Sequence, residues 1–306
     1  MPLRFVLLVL AGALFFFLPL AVDFLTDWMW FGEVGYRDLY STEIAARASL
    51  AVAVFVVAAT WLMVHVRVAL ASISPAPVTF TTREGFSVAL PTRDQLRPLV
   101  MLAVAVAAFL LSSYASSQWM TVLTWWHQAP FGKSDPVLGH DASLYIFTLP
   151  AIELARGLVM GMVVLAAAGS AALYVAAGQM ALTPFGIRVE DRARRHLTWL
   201  AAAFFLVLAL GAWLSRLSEI VSPSGIIQGA SYADVYARMP AALALMGAAV
   251  VAAALAAASA ASNSTRLLIA GAALYAITLF GGGGYATMLQ RFVVTPNEQV
   301  RETPFM

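Results

Sequence analysis

The sequence predicts an all-α membrane protein, a bundle of about seven transmembrane helices with short interfacial helices in the outer loops. One observation is composition: 61% of the 306 residues are hydrophobic and only 11% are charged, whereas soluble domains carry about 25% charged residues. The other is that seven apolar stretches reach the roughly 20 residues that cross a hydrocarbon core. A bilayer is therefore the expected solvent of this chain.

The seven stretches justify the helices in chain order. They are residues 3–25, 44–71, 98–117, 152–182, 197–217, 240–261 and 267–289. The first is long for a signal peptide and lacks a good cleavage site, so we expect a retained helix. The sixth consists mostly of alanine and valine, and its small side chains favour a place inside the bundle. Residues 1–290 are thus predicted to be one transmembrane domain.

Charge distribution predicts the orientation. With a cytoplasmic N-terminus, ten of the 18 Lys and Arg residues fall inside, among them the dense cluster of residues 188–195. Cytoplasmic loops are enriched in such cations. We expect a multi-pass protein of the bacterial inner membrane, with the C-terminus extracytoplasmic after seven spans.

Loops on both sides carry predicted local structure. Residues 118–128 contain Trp119, Trp125 and Trp126, and indole rings favour the membrane interface. This segment is predicted to be a short helix in the outer interface. Residues 78–90 alternate in polarity around Glu84-Gly85, a pattern that predicts a small cytoplasmic hairpin.

Four ordered motifs stand beside the predicted helices and resemble a known family. They are Trp30-Phe31-x-Glu33-x-Gly35-Tyr36, Asp135-Pro136-Val137-x-Gly139-x-Asp141-x-x-x-Tyr145, Gly229-x-Ser231-Tyr232-x-Asp234-Val235, and Phe292-Val293-Val294-x-Pro296-Asn297-Glu298 with Glu302-x-Pro304-Phe305. The chain in this respect resembles the bacterial uncharacterised protein family 0182. The resemblance implies an N-terminal multi-helix membrane region followed by a large extracytoplasmic region, so we expect the chain to be incomplete. It implies no reaction or substrate.

Residues 291–306 are predicted to be the extended start of that missing region. Phe292-Val293-Val294 is β-prone, and Pro296-Asn297 favours a turn. We therefore expect this segment to leave the seventh helix as extended chain with few contacts to residues 1–290.

Two interpretations remain open for a polar loop. Asp135, His140 and Asp141, with Tyr145 nearby, offer the carboxylates and imidazole of a metal site. The same residues also suit a turn in which Asp141 caps the following helix. The turn is favoured.

Further polar residues form a candidate functional patch on the outer face. Its members are Glu33, Tyr36, Asp141, Tyr145, Glu153, Arg216, Glu219, Tyr232 and Asp234. Within it, Glu153 with Arg156, and Arg216 with Glu219, have the i,i+3 spacing of helical ion pairs. These pairs either neutralise each other near the interface or line an outward cavity. His65 is expected to be a packed or hydrogen-bonded histidine rather than a proton relay.

The run Gly281–Gly284 interrupts the seventh predicted helix. Four glycines weaken a helix by about 3–4 kcal/mol relative to alanine, so something should compensate. Close packing against a neighbouring helix is one explanation. A hinge or broken helix, as transporters use, is the other.

The absence of certain residue types and motifs from the sequence excludes several classes of function. It has no cysteine, which excludes disulfides and thiolate chemistry, and it shows no catalytic or phosphate-binding motif. No cofactor and no nucleic-acid partner are expected. The leading hypothesis is a membrane anchor or scaffold for an extracytoplasmic domain, with a role in the cell envelope. A transporter or channel with an outward-facing cavity is the alternative, and an intramembrane enzyme is third. Expected partners are the lipid bilayer, the missing domain and other envelope proteins.

Overall fold

The computed structural model describes residues 3–74, 79–81, 87–89, 91–183, 186–222, 229–262 and 264–305. Within these residues the chain is an all-α bundle, as predicted. Its long helices are α1 (Leu3–Glu33), α2 (Arg37–Leu70), α3 (Arg93–Ser117), α5 (Leu149–Ala176), α6 (Asp191–Ser218), α7 (Met239–Ser262) and α8 (Thr265–Leu289), and its short ones are α4 (Trp119–Trp126) and α9 (Glu298–Arg301).

Six of the long helices in the described part of the chain are apolar enough, and long enough, to cross a membrane: α2, α3, α5, α6, α7 and α8. That α1 also crosses stays a prediction. The short helix predicted within residues 118–128 is present as α4, and its position at the membrane surface stays a prediction.

Two antiparallel hairpins connect long helices. The predicted one consists of β1 (Thr79–Thr81) and β2 (Ser87–Ala89), and its turn lies outside the described residues. The second, β3 (Met180–Thr183) with β4 (Gly186–Val189), was not predicted. It shortens the predicted fourth span, because α5 ends at Ala176 and Gly178 turns the chain with a left-handed φ of 71°.

Small side chains pack the centre of the bundle. On α7, Ala252, Ala253 and Ala256 are buried against α6 and α8. Gly271 of α8 faces Ala252 so closely that an added Cβ would lie 3.0 Å from the Ala252 Cα. The small side chains of the alanine-rich helix therefore let one of its faces pack closely between α6 and α8, while Val250 and Val251 on its other side are exposed.

Three π-helical turns mark one end of the bundle. They are Leu144–Thr148 before α5, Asp234–Arg238 before α7 and Gln290–Val294 after α8. In each, the residue after the turn donates its N–H to the carbonyl five residues back, and a proline follows that residue. Proline has no N–H and its ring clashes with the usual carbonyl partner, so the wider turn accommodates it. We call this end of the bundle the π-turn end.

The prediction that residues 291–306 are extended is wrong for the described residues up to 305. The chain continues from α8 through the third π turn, a 3-10 turn at Thr295–Asn297, α9 and a last 3-10 turn at Thr303–Phe305. Val294 is fully buried. Burial of this kind outweighs the β-propensity of the valines, because propensity is a weak preference that tertiary contacts override.

The glycine run does not break its helix, so the broken-helix explanation is wrong, and a hinge at the run stays a prediction. α8 continues through Gly281–Gly284 to Leu289. Close packing holds at one position only: an added Cβ on Gly282 would lie 3.0 Å from the Ala241 Cβ of α7. An added Cβ on Gly281, Gly283 or Gly284 would meet no heavy atom within 4 Å outside its own helix. Of the four glycines, only Gly282 is thus closely packed against a neighbouring helix.

Candidate functional site

Asp135 organises the loop before α5. Its carboxylate accepts hydrogen bonds from the backbone N–H groups of Val137, Leu138 and His140 at 2.6–2.9 Å, and from the Tyr145 hydroxyl at 2.6 Å. Partial burial alone would raise the pKa of Asp135, yet these hydrogen bonds, with that of Leu138 the strongest, lower it overall. The carboxylate therefore stays charged and holds the loop.

Asp141 serves the neighbouring turn. It accepts backbone N–H groups of Phe131, Gly132 and Ser143 at 2.8–3.1 Å. Hydrogen bonds from Ser143, through its side chain and its backbone, and from Phe131 lower the pKa of Asp141 to about 2. Asp141 thus caps the helical segment that follows it, as the turn interpretation expects.

The metal interpretation of this loop gains no support from the geometry. The carboxylate oxygens of Asp135 and Asp141 already accept hydrogen bonds from N–H and O–H donors, and these donors occupy the lone pairs that a metal ion would need. Across the described residues no group of three or more His, Asp or Glu side chains could hold a metal ion. The loop chemistry is that of a rigid turn.

Tyr145 ties this loop to the bundle. Its side chain is buried against Leu149 of α5 and Leu214 and Leu217 of α6, and Arg216 lies close enough to interact electrostatically with it. The phenol bridges the polar loop and the apolar packing of α5 on α6.

The two predicted i,i+3 ion pairs are wrong. Glu153 instead accepts a hydrogen bond from the Ser218 hydroxyl of α6 at 2.9 Å. Glu219 pairs with Arg238, its Oε2 lying 3.6 Å from Arg238 Nη1. Partners on adjacent helices replace partners on the same helix, because the tight α6 packing brings polar groups of different helices together at the π-turn end.

Asp234 is the most enclosed acid of the patch. It is fully buried, its Oδ1 lies 2.6 Å from Arg238 Nη1, and its Oδ2 accepts the Ser231 N–H at 2.8 Å. Arg238 thereby contacts both Asp234 and Glu219, and joins α7 to the end of α6. The i,i+4 spacing of Asp234 and Arg238 is a sequence signal that could have predicted this pair.

Tyr232 receives the end of the described chain. Its N–H donates to the Glu302 carboxylate at 3.1 Å, and its ring packs edge-on to Phe305 with centroids 6.1 Å apart. The Arg301 guanidinium lies 5.2 Å above the same ring. Sequence reasoning placed Glu302 and Phe305 in a motif but did not find this partner.

The predicted patch is therefore brought together only in part. Glu219 and Asp234 meet through Arg238, and Tyr145 lies near Arg216. The other members bond residues outside the predicted patch: Asp141 bonds its own turn, Glu153 bonds Ser218 and Tyr232 bonds Glu302. Glu33 and Tyr36 lie apart, exposed at the turn between α1 and α2. No side-chain hydrogen bond or ion pair of the described residues joins those two to the others.

Arg156 is a cation within the span of α5. Its guanidinium lies on Gly211 of α6, where Nη1 would be 3.1 Å from an added Cβ. Its Nε is buried and has no hydrogen-bond partner. Gly211 thus provides the flat surface on which the guanidinium rests.

A groove of about 610 Å³ runs between α7 and α8. Small and aliphatic residues line its floor, among them Ala241, Leu245 and Gly283, and polar residues including Arg238, Gln290 and Arg291 line the π-turn end. Ser215 of α6 also reaches the groove.

A second polar cluster, which the sequence did not reveal, lies towards the opposite end. His65 Nδ1 and His196 Nε2 are 2.9 Å apart, and the Tyr174 hydroxyl lies 2.9 Å from His196 Nδ1. Trp61 packs on the His65 ring at 4.6 Å. The expectation that His65 is hydrogen-bonded is met, and its partner links α2 to α5 and α6.

Comparison with protein-family profiles and with individual proteins points to one family. The sequence profile of an uncharacterised protein family, UPF0182, matches residues 4–306. UPF0182 proteins of Geobacter sulfurreducens and Kocuria rhizophila are each 32% identical to the chain, over 99% and 92% of it. One of Cupriavidus necator is 31% identical over 92%. The matches cover 35%, 28% and 31% of those relatives, so the chain spans about a third of their length. No solved structure matches the chain.

Proposed function

Because the chain belongs to the uncharacterised protein family UPF0182, and six of its helices could cross a membrane, we propose that it is a membrane anchor that positions an extracytoplasmic domain. In this proposal the π-turn end faces the outside, and the domain begins where the described chain ends. A role in the cell envelope follows from that position.

The packed end of the chain is the observation that supports this proposal. Residues 291–305 do not trail away from α8. Val294 is buried, Glu302 is only 6% exposed, and Phe305 packs on Tyr232. A segment held at three successive places fixes the direction in which a following domain would leave the membrane. A flexible linker would fix no such direction.

Protease accessibility in the full-length Geobacter sulfurreducens relative tests the anchor. Protease added to the outside of cells should release most of the part beyond the matched third as a soluble product. The matched third should stay in the membrane. If the unmatched part is protected in intact cells and cut only after lysis, the anchor proposal is wrong.

Transport is the second candidate, because Arg156 is an intramembrane cation and the groove opens beside α6. Intramembrane ionisable residues often mark substrate pathways. Purified protein in liposomes should then move a charged solute across the bilayer, and Arg156→Gln should abolish the flux. Equal solute flux in liposomes with the protein and in protein-free liposomes would exclude this candidate.

A further inference from the structure

The groove between α7 and α8 has an apolar floor and a polar end, as a binding site for an amphiphilic molecule requires. Gly282, Gly283 and Leu245 belong to its apolar floor, and Arg291 and Gln290 belong to its polar end. An added Cβ on Gly283 would meet nothing within 4 Å, so the floor is open rather than filled by neighbouring side chains. Its volume of about 610 Å³ lies within the range of small-molecule sites, about 300–1,000 Å³.

Two cations line the polar end of the groove, Arg238 and Arg291. Ser215 of α6 lines the groove as well, whereas Arg156, which rests on Gly211 one turn further along α6, is not among the lining residues. The charge offered to a ligand of the groove is therefore that of the two lining arginines.

The charges at the groove are not balanced within the described residues. Arg238 is occupied by Asp234 and Glu219. Arg291 has no carboxylate within ion-pair distance among the described side chains. Its guanidinium is therefore available to an anion from outside the chain.

We propose that this groove binds a phosphate-bearing lipid of the surrounding leaflet. The phosphate would lie between Arg291 and the Gln290 amide, and an acyl chain would follow the floor past Gly283 and Leu245. Arginine is well suited to this ligand because its planar fork binds phosphate oxygens in pairs. A lipid fits both parts of the groove, whereas free phosphate would leave the apolar floor unused.

Lipid binding by the purified, delipidated chain tests the proposal. Native mass spectrometry should show retention of dioleoylphosphatidylglycerol over dioleoylphosphatidylcholine. Gly283→Leu should fill the floor and weaken phosphatidylglycerol binding by about tenfold or more, and Arg291→Gln should weaken it in the same direction. Gly281→Leu and Arg266→Gln are the matched controls, since neither residue lines the groove, and both should bind as the unaltered chain does.

Three results would overturn the proposal. One is equal binding of the two lipids, which would show that the headgroup charge does not matter. Another is unchanged phosphatidylglycerol binding by Gly283→Leu. The third is binding of inorganic phosphate alone that equals binding of the lipid, because the site would then be one for a soluble anion. The Arg291→Gln result stands even if Gly283→Leu fails to fold.

Discussion

The carboxylate of Glu302 accepts a hydrogen bond from the backbone N–H of Tyr232 at 3.1 Å, across 70 residues of sequence. Glu302 is almost completely buried, and Tyr232 stands just before the π turn that begins α7. The bond therefore holds the last described turns of the chain against the π-turn end of the bundle.

Replacing Glu302 with alanine should free these last turns. The change leaves the Tyr232 N–H without its partner, which costs about 1–3 kcal/mol when the group remains buried. We expect faster proteolysis and hydrogen exchange in residues 291–305 of the Glu302→Ala protein. Glu298→Ala, at an exposed position of α9, is the control and should exchange as the unaltered protein does. Equal protection of both variants would show that the hydrogen bond does not hold the segment.

The Asp234–Arg238 pair should respond unequally to loss of either partner. Arg238→Ala leaves a fully buried carboxylate without its counter-charge, and such losses cost about 3–5 kcal/mol. Asp234→Asn leaves an arginine whose side chain is 39% exposed and should cost less. Unfolding in detergent measures both, and the double variant should lose less than the sum of the two. Additive losses would mean that the pair contributes no coupling energy.

The sequence predicted the helices better than their ends. Apolar stretches of membrane length predicted α2, α3, α6, α7 and α8, because a bilayer demands that length of any spanning helix, but the predicted starts of α2, α3 and α6 are five to seven residues too late. The β-propensity of Val293 and Val294 led to the wrong prediction of an extended segment, because the sequence does not show that Val294 is buried in the bundle. The prolines at 150, 240 and 296 were visible, but the π turns before them depend on hydrogen bonding that no local pattern specifies.

Partners within the site were harder to predict than its members. Glu153 and Glu219 were placed in the patch from sequence, but each was assigned a partner on its own helix. The structure gives them Ser218 and Arg238 on other segments. Helix phase and packing decide such pairs, and a single sequence contains only the spacing within each helix.

The loop before α5 should lose its rigidity in acid. Because hydrogen bonds lower the folded-state pKa of Asp141 to about 2, below the ordinary value of about 3.9, its stabilising effect is present above pH 4. That effect should disappear as the pH falls from 4 towards 2. The thermal midpoint in detergent, followed over this range, should fall less in Asp141→Asn than in the unaltered protein. Asp23→Asn, in α1, is the control, and an identical pH profile for Asp141→Asn would contradict the prediction.

Two adjacent glycines of α8 should tolerate leucine differently. Gly282→Leu places a side chain against Ala241, where even a Cβ would be 3.0 Å from the Ala241 Cβ, and overpacking of this kind costs about 1–3 kcal/mol. Gly281→Leu meets open space and gains helix propensity, about 0.8–1 kcal/mol. Thermal unfolding in lipid or detergent compares the two. A Gly282→Leu protein as stable as Gly281→Leu would exclude the close contact.

Single-cysteine labelling tests the orientation, since the chain has no native cysteine. Ser134 and Arg192 are both exposed and lie near opposite ends of the bundle. In intact cells a membrane-impermeant thiol reagent should label a cysteine at position 134 and spare one at position 192. Permeabilised cells should show labelling at both, which controls for reactivity. The reverse pattern in intact cells would invert the predicted topology.

The three π turns have a consequence for how related chains can differ in length. A π turn holds one more residue than an α-helical turn, so deleting one residue within it would restore ordinary α-helical geometry and leave the residues beyond it in nearly the same directions. The proline that follows each turn would then clash with its usual carbonyl partner. In an alignment of full-length relatives, a one-residue gap at any of the three turns should therefore appear only where the following proline is also replaced.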